Sequence, residues 1–173
     1  MFDAVFINGT VGAGKTTTAL ELSRLLSDRQ EPHALVDLDQ IRLLFPPPPG
    51  DPFQHEVELA NLRDIAGNYR AAGAARLIVA GVLESPGEVP RYEVALGVDS
   101  LLVCRLLVDP DTARARLSNR HVDDPDARRW HLHRTGELAT VLDRARFDDV
   151  VVDTTHRSPL EVAREVARHA GWT

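Results

Sequence analysis

The segment Gly9-Thr10-Val11-Gly12-Ala13-Gly14-Lys15-Thr16 concentrates chemistry that no other stretch of this chain matches, and it fits the pattern G-x-x-x-x-G-K-[ST] in full. Glycines let the backbone fold back so that successive amides point into one concavity, which suits anionic oxygens. A helix following directly adds its positive N-terminal end. Lys15 brings a charge to the β- and γ-phosphates of a nucleotide, and the Thr16 hydroxyl can ligate Mg²⁺. Thr17 completes the set expected around ATP. The chemistry implied is phosphoryl transfer, with ATP and Mg²⁺ as the cofactors.

Asp37 and Asp39 form the second constellation. On an extended chain, alternation turns both side chains to one side. One carboxylate can then accept a proton from an acceptor hydroxyl, and the other can hold Mg²⁺ through water. Two adjacent carboxylates resist joint ionisation unless a cation lies between them, which fits a metal site. A structural alternative stands beside this: aspartate is a favoured N-cap, and a short helix can begin near Gln40.

Arg116 and Arg120 are four apart and share a helix face. Arginine forks stabilise the charge that phosphoryl transfer spreads over oxygens, so both are candidates for a loop that closes over ATP, a lid around 116–130. Arg128 and Arg129 read as a solvated face, and Trp130 as a side chain packing its helix onto the body. The histidines show no spacing that demands a metal. Cys104, the single cysteine, falls in an apolar run and reads as a buried thiol.

Short apolar runs separated by helical patterns must position these groups. Strands are expected at 4–7, 34–36, 76–80, 101–108 and 150–152. Helices are expected from Lys15 to about Asp28, through Ile41 to Leu44, from His55 to Ala72, around 88–96, from Pro110 to about Asn119, over 127–145, and from Ser158 to near Gly171. Asp109-Pro110 supplies an N-cap with proline at the first helical position, and Ser158 with Glu161 a capping box. The tract Pro46-Pro47-Pro48-Pro49-Gly50 reads as a stiff polyproline loop, too short to separate two cores. Alternating strands and helices predict an α/β fold, a three-layer sandwich with a five-stranded parallel sheet, as one domain over 1–173.

The composition, 43% apolar and 27% charged, is that of a folded chain. A net charge of −6 disfavours sequence-independent nucleic-acid binding, though it leaves room for a local basic site, which a kinase of small molecules needs. A homodimer is compatible with the sequence but nothing in it requires one. No cationic start precedes a long apolar stretch, and no apolar run is long enough for a membrane; a cytoplasmic enzyme is the expectation.

With these residues in hand, the chain resembles the P-loop kinases of the group containing adenylate, shikimate, gluconate and adenylylsulfate kinases. Asp37-Leu38-Asp39-Gln40-Ile41-Arg42 is similar to the D-G-D-N-[IV]-R segment of adenylylsulfate kinases. Ala60-Asn61-Leu62-Arg63 is similar to their E-N-I-R-R, and Ala72-Gly73 through Ile78 to Glu84-Ser85-Pro86 to a third segment. The family glycine is Leu38 here, its asparagine is Gln40, and its K-G-L-Y lid segment is absent. Arg116-Leu117-Ser118-Asn119-Arg120 looks more like the R-x-x-x-R of nucleotide and shikimate kinase lids, and Asp39-Gln40 resembles the D-x-D-Q of shikimate kinases.

The resemblance implies a sheet ordered 2-3-1-4-5 and a small helical lid. It implies Asp39 as base and Asp37 as a water-mediated Mg²⁺ partner. Arg42, Asn61 and Arg63 would contact the acceptor, Arg116 the adenine, Arg120 the phosphates, and Asp153-Thr154-Thr155 the adenine side. The activity implied is transfer of the γ-phosphate of ATP to a hydroxyl of a small molecule, adenylylsulfate among the candidates. A nucleoside, nucleotide or antibiotic kinase, with a layout like chloramphenicol phosphotransferase, is a second reading. A slowly hydrolysing nucleotide switch is a third, against which the aspartate pair argues.

Overall fold

The computed structural model describes residues 1–120 and 124–173; the side chains of residues 120, 127 and 128 lie outside the described set. The strands are β1 (Ala4–Gly9), β2 (His33–Asp37), β3 (Arg76–Ala80), β4 (Leu101–Leu107) and β5 (Val150–Asp153). The helices are α1 (Lys15–Asp28), α2 (Leu38–Ile41), α3 (His55–Ala71), α4 (Val89–Leu96), α5 (Pro110–Arg120), α6 (Pro125–Ala145) and α7 (Pro159–Ala170), with a 3₁₀ turn at Pro86–Glu88 before α4. All pairings are parallel, and the five strands lie in the order β2-β3-β1-β4-β5.

β1 lies at the centre of this sheet, and each of its residues is buried. Its side chains alternate between the two faces, as extended backbone dictates. Val5 and Ile7 join Leu22 and Leu26 of α1 and Val162 and Val166 of α7 in one core. Ala4 and Phe6 join Leu59 and Leu62 of α3 and Tyr92 and Leu96 of α4 in the other. Phe6 and Tyr92 meet edge to face at 5.0 Å, a geometry worth about 0.5–1.5 kcal/mol beyond burial. The result is the expected three layers, helix, sheet and helix.

The end of β2 differs from expectation. The short helix covers Leu38–Ile41 rather than residues 41–44. Asp37 starts it: its Oδ1 accepts from the Asp39 amide at 3.0 Å. The alternation argument therefore fails for the aspartate pair, since Asp37 ends a strand and Asp39 lies in a helix. Leu38, between them, is buried in the second core, where it fills the space left by the missing side chain of Gly81.

The proline tract lies in a loop, as expected, and ends in a turn. Its C-terminal half folds back, with Asp51 N donating to Pro48 O at 3.1 Å and Gln54 N to Asp51 O at 3.1 Å. Asp51 then caps α3, accepting from His55 N at 2.7 Å and Glu56 N at 3.0 Å. Ser158 and Glu161 form the expected capping box on α7. The Cys104 thiol is buried, and burial pushes its pKa up to about 12, so it is inert. Among the described residues no helix is long and apolar enough to cross a membrane.

Candidate active site

The Gly9–Thr16 turn leaves the carboxyl end of the central strand, where ligands bind in open parallel sheets. Gly9 adopts φ +140°, and a Cβ there would come within 2.7 Å of Leu106 O, so only glycine fits. Gly14, at φ 95°, caps α1. The Lys15 ammonium reaches back over the turn and donates to Gly9 O at 2.9 Å and Thr10 O at 3.1 Å.

Two residues far apart in the chain meet at this turn. Thr16 Oγ1 donates to Asp37 Oδ2 at 2.8 Å. This hydroxyl–carboxylate pair consists of hard oxygens, the donor set that Mg²⁺ prefers alongside water and phosphate. Among the described residues no group of three or more His, Cys, Asp or Glu side chains forms a closed metal cage.

A cavity of about 890 Å³ opens from the turn. Val11, Gly12, Gly14, Lys15, Thr16 and Thr17 line one end of it, with Arg116 beside them. Arg116 Nη1 donates to Gly12 O at 3.2 Å and Thr154 Oγ1 at 3.3 Å, and its Nη2 to Thr154 O at 3.0 Å. It thus fastens α5 to the turn and to the end of β5. Ala13 and Thr154, both expected at the nucleotide, have buried side chains. Thr154 Oγ1 donates to Ala13 O at 3.2 Å and Leu107 O at 3.1 Å, which braces the turn from behind. The side chain of Arg120, expected to reach phosphate, lies outside the described residues, as does the segment 121–123 of the expected lid.

The other end of the cavity holds Asp39, Gln40 and Arg42 from the α2 region and His55 and Glu58 from α3. Glu84, Glu88 and Tyr92 come from the β3–α4 segment, and Trp130 and Arg134 from α6. The Asp39 carboxylate is 59% exposed and ion-pairs with Arg42, which also holds Glu58 at 3.2 Å. Asn61 and Arg63, expected at the acceptor, are not among the residues lining this cavity. Asn61 donates to Ile41 O at 2.6 Å and anchors α2 to α3; Arg63 is exposed and pairs with Asp64 at 3.2 Å.

Glu58 is the residue that sequence reasoning missed at most cost. It is buried, it accepts from Tyr92 Oη at 2.5 Å, and burial holds its carboxyl above the ordinary range against the lowering effect of Tyr92 and Arg42. Burial and the Glu58 charge together push the Tyr92 hydroxyl far above its usual pKa, so it acts as a donor. A signal existed: Glu58 lies four residues before Leu62, on the stripe that α3 buries. His55 Nε2 lies 2.5 Å from Glu88 Oε2, and Arg91 Nη1 reaches the same oxygen at 3.2 Å. Trp130 does not pack its helix onto the body: it is half-exposed and lines the cavity. Arg134 pairs with Glu84 and lies 5.2 Å over the Phe53 ring.

No protein-family model and no curated protein matches the chain. Solved structures do. The tunicamycin resistance protein of Deinococcus radiodurans superposes with a TM-score of 0.67 at 21% identity, covering 100% of this chain and 98% of that one. Shikimate kinase from Acinetobacter baumannii, in complex with shikimate, gives 0.60 at 15% identity over 98% and 93% of the two chains. The APS kinase of Mycobacterium tuberculosis, in complex with AMPPNP and APS, gives 0.60 at 18% identity over 96% of each. These superpositions over nearly the whole chain, at TM-scores of 0.60 to 0.67, show that it has the fold of the P-loop small-molecule kinases.

Proposed function

We propose that this chain is an ATP-dependent phosphotransferase that moves the γ-phosphate of ATP to a hydroxyl of a small molecule. The observation that carries this is the continuity of one cavity, from the phosphate-binding turn with Lys15 and Thr16 to an exposed carboxylate, Asp39. A nucleotide switch needs the first end and has no use for the second.

ATP supplies the phosphoryl group when bound, and Thr16 with Asp37 would hold its Mg²⁺. The turn's amides and Lys15 bind the phosphates. Arg42 holds the Asp39 carboxylate in position, from where it accepts the proton of the acceptor hydroxyl or orients that hydroxyl toward the phosphorus. Arg120, one turn beyond Arg116, is proposed to add positive charge at the phosphates. The narrower reading, an adenylylsulfate acceptor, loses support from Asn61 and Arg63, which lie off the cavity lining. A nucleoside or antibiotic acceptor requires neither residue.

The test is ADP release by the purified chain with Mg²⁺-ATP across a panel of acceptors. One acceptor should stimulate release, and Asp39→Asn should lower that turnover by roughly 10²–10⁴-fold while ATP still binds. Undiminished turnover in Asp39→Asn would remove Asp39 from the chemistry. ATP binding without stimulation by any acceptor would favour the switch.

A further inference from the structure

The acceptor end of the cavity is rich in charge, yet its cations are already committed. Among the described residues its arginines are Arg42 and Arg134. Arg42 meets two carboxylates, Asp39 and Glu58. Arg134 likewise meets two, Glu84 and Glu137, the latter at 3.5 Å. A carboxylate, sulfate or phosphate on the acceptor would have to displace a carboxylate from one of these guanidinium groups and leave it facing the anion, a like-charge contact in a partly desolvated cleft.

The carboxylates are in excess. Asp39, Glu58, Glu84 and Glu88 line the cavity against those two arginines; His131 is also on the lining, and Glu88 has two further partners, His55 on the lining and Arg91 off it at 3.2 Å. Between the charges run apolar surfaces. Leu43 is 78% exposed, Phe53 54% and Trp130 54%, and all three line the same cavity. Large apolar side chains left open around a cleft mark a surface that a ligand covers.

From these two features, and resting on the phosphotransferase reading, we infer that the acceptor is an uncharged or cationic hydroxyl compound carrying an apolar face, and that anionic acceptors are excluded. Its hydroxyl meets Asp39. Its polar or ammonium groups are met by the carboxylates Glu84 and Glu88, and its apolar part lies on Leu43, Phe53 and Trp130.

The experiment uses matched sets that differ in charge: adenosine against adenosine monophosphate; glucose and glucosamine against gluconate; and phenyl glucoside against phenyl glucuronide. Binding to the ATP-loaded chain is followed by calorimetry, and ADP release is recorded on the same samples. The neutral or cationic member of a set should bind at least tenfold more tightly than its anion, and the phenyl glycoside more tightly than the bare sugar. Glu84→Gln leaves Arg134 with Glu137 alone and should shift the preference toward the anion by several-fold. An anion that binds as well as its neutral counterpart overturns the inference, and so does a panel in which no neutral or cationic member binds. Binding of a neutral member without ADP release would sink the phosphotransferase reading and leave the charge preference standing. Transfer to an anion would do the reverse.

Discussion

Leu38 and Gly81 are fitted to each other across the end of the sheet. A Cβ on Gly81 would stand 2.4 Å from Leu38 Cδ1 and 2.9 Å from its Cγ, closer than any real contact. The position that carries glycine in the adenylylsulfate kinase pattern carries a buried leucine here, and the space it needs is taken from residue 81. Leu38 separates Asp37, on the Thr16 side, from Asp39, on the Arg42 side, so its packing sets where both carboxylates stand. Gly81→Ala overpacks this contact and should lower stability by about 1–3 kcal/mol, read from the urea midpoint. Leu38→Ala in the same background should recover part of that loss, although Leu38→Ala alone costs about 2–5 kcal/mol. Additive losses in the double variant would show that the two sites do not share the space.

At the scale of elements, the strands and most helices were legible because their signals are local. β3 covers Arg76–Ala80 and α1 covers Lys15–Asp28, as apolar runs and helical spacing predict. The turn before α1 was legible for the same reason, since one continuous segment carries its chemistry. The other end of the cavity was not. Glu58, Tyr92, Glu84, Glu88 and Arg134 come from separate elements, and no spacing within one element announces their meeting. The shift of α2 has a related cause: Asp37 spends one oxygen on the Asp39 amide and the other on Thr16, and so ends the strand where alternation would have continued it.

Glu58 joins three of these elements, taking Arg42 from the end of α2 and Tyr92 from α4 while standing on α3. Its carboxyl titrates above the ordinary value of 4.5 in the folded chain. The folded state therefore binds more protons than the unfolded state as pH rises from 4.5 through the folded value, and this group's contribution to stability falls across that window. Glu58→Gln removes the fall. The stability of Glu58→Gln relative to the parent should rise with pH from 4.5 upward and then level, as denaturant titrations at stepped pH would record; a difference independent of pH would show that Glu58 titrates normally.

At the scale of the whole molecule, the sheet's carboxyl edge gathers contributions from every layer, and α6 completes the arrangement from outside. Thr135 Oγ1 of α6 donates to Val11 O at 3.1 Å, and Arg116 of α5 holds the neighbouring carbonyl of Gly12, so both helices grip the Gly9–Thr16 turn by its backbone. The same helix carries Trp130 into the cavity. The chain has one other tryptophan, Trp172, just past the C-terminal end of α7, which is 1% exposed and donates its indole N–H to Phe2 O at 2.8 Å. The two indoles thus occupy opposite environments, one wet and one sealed. Excited selectively near the red edge, the protein carries its own optical gauge: Trp172 provides a constant blue emission, and Trp130 a redder component. That component should shift toward the blue and lose its accessibility to acrylamide when acceptor and ATP fill the cleft, without any label being attached, and Trp130→Phe should abolish the response.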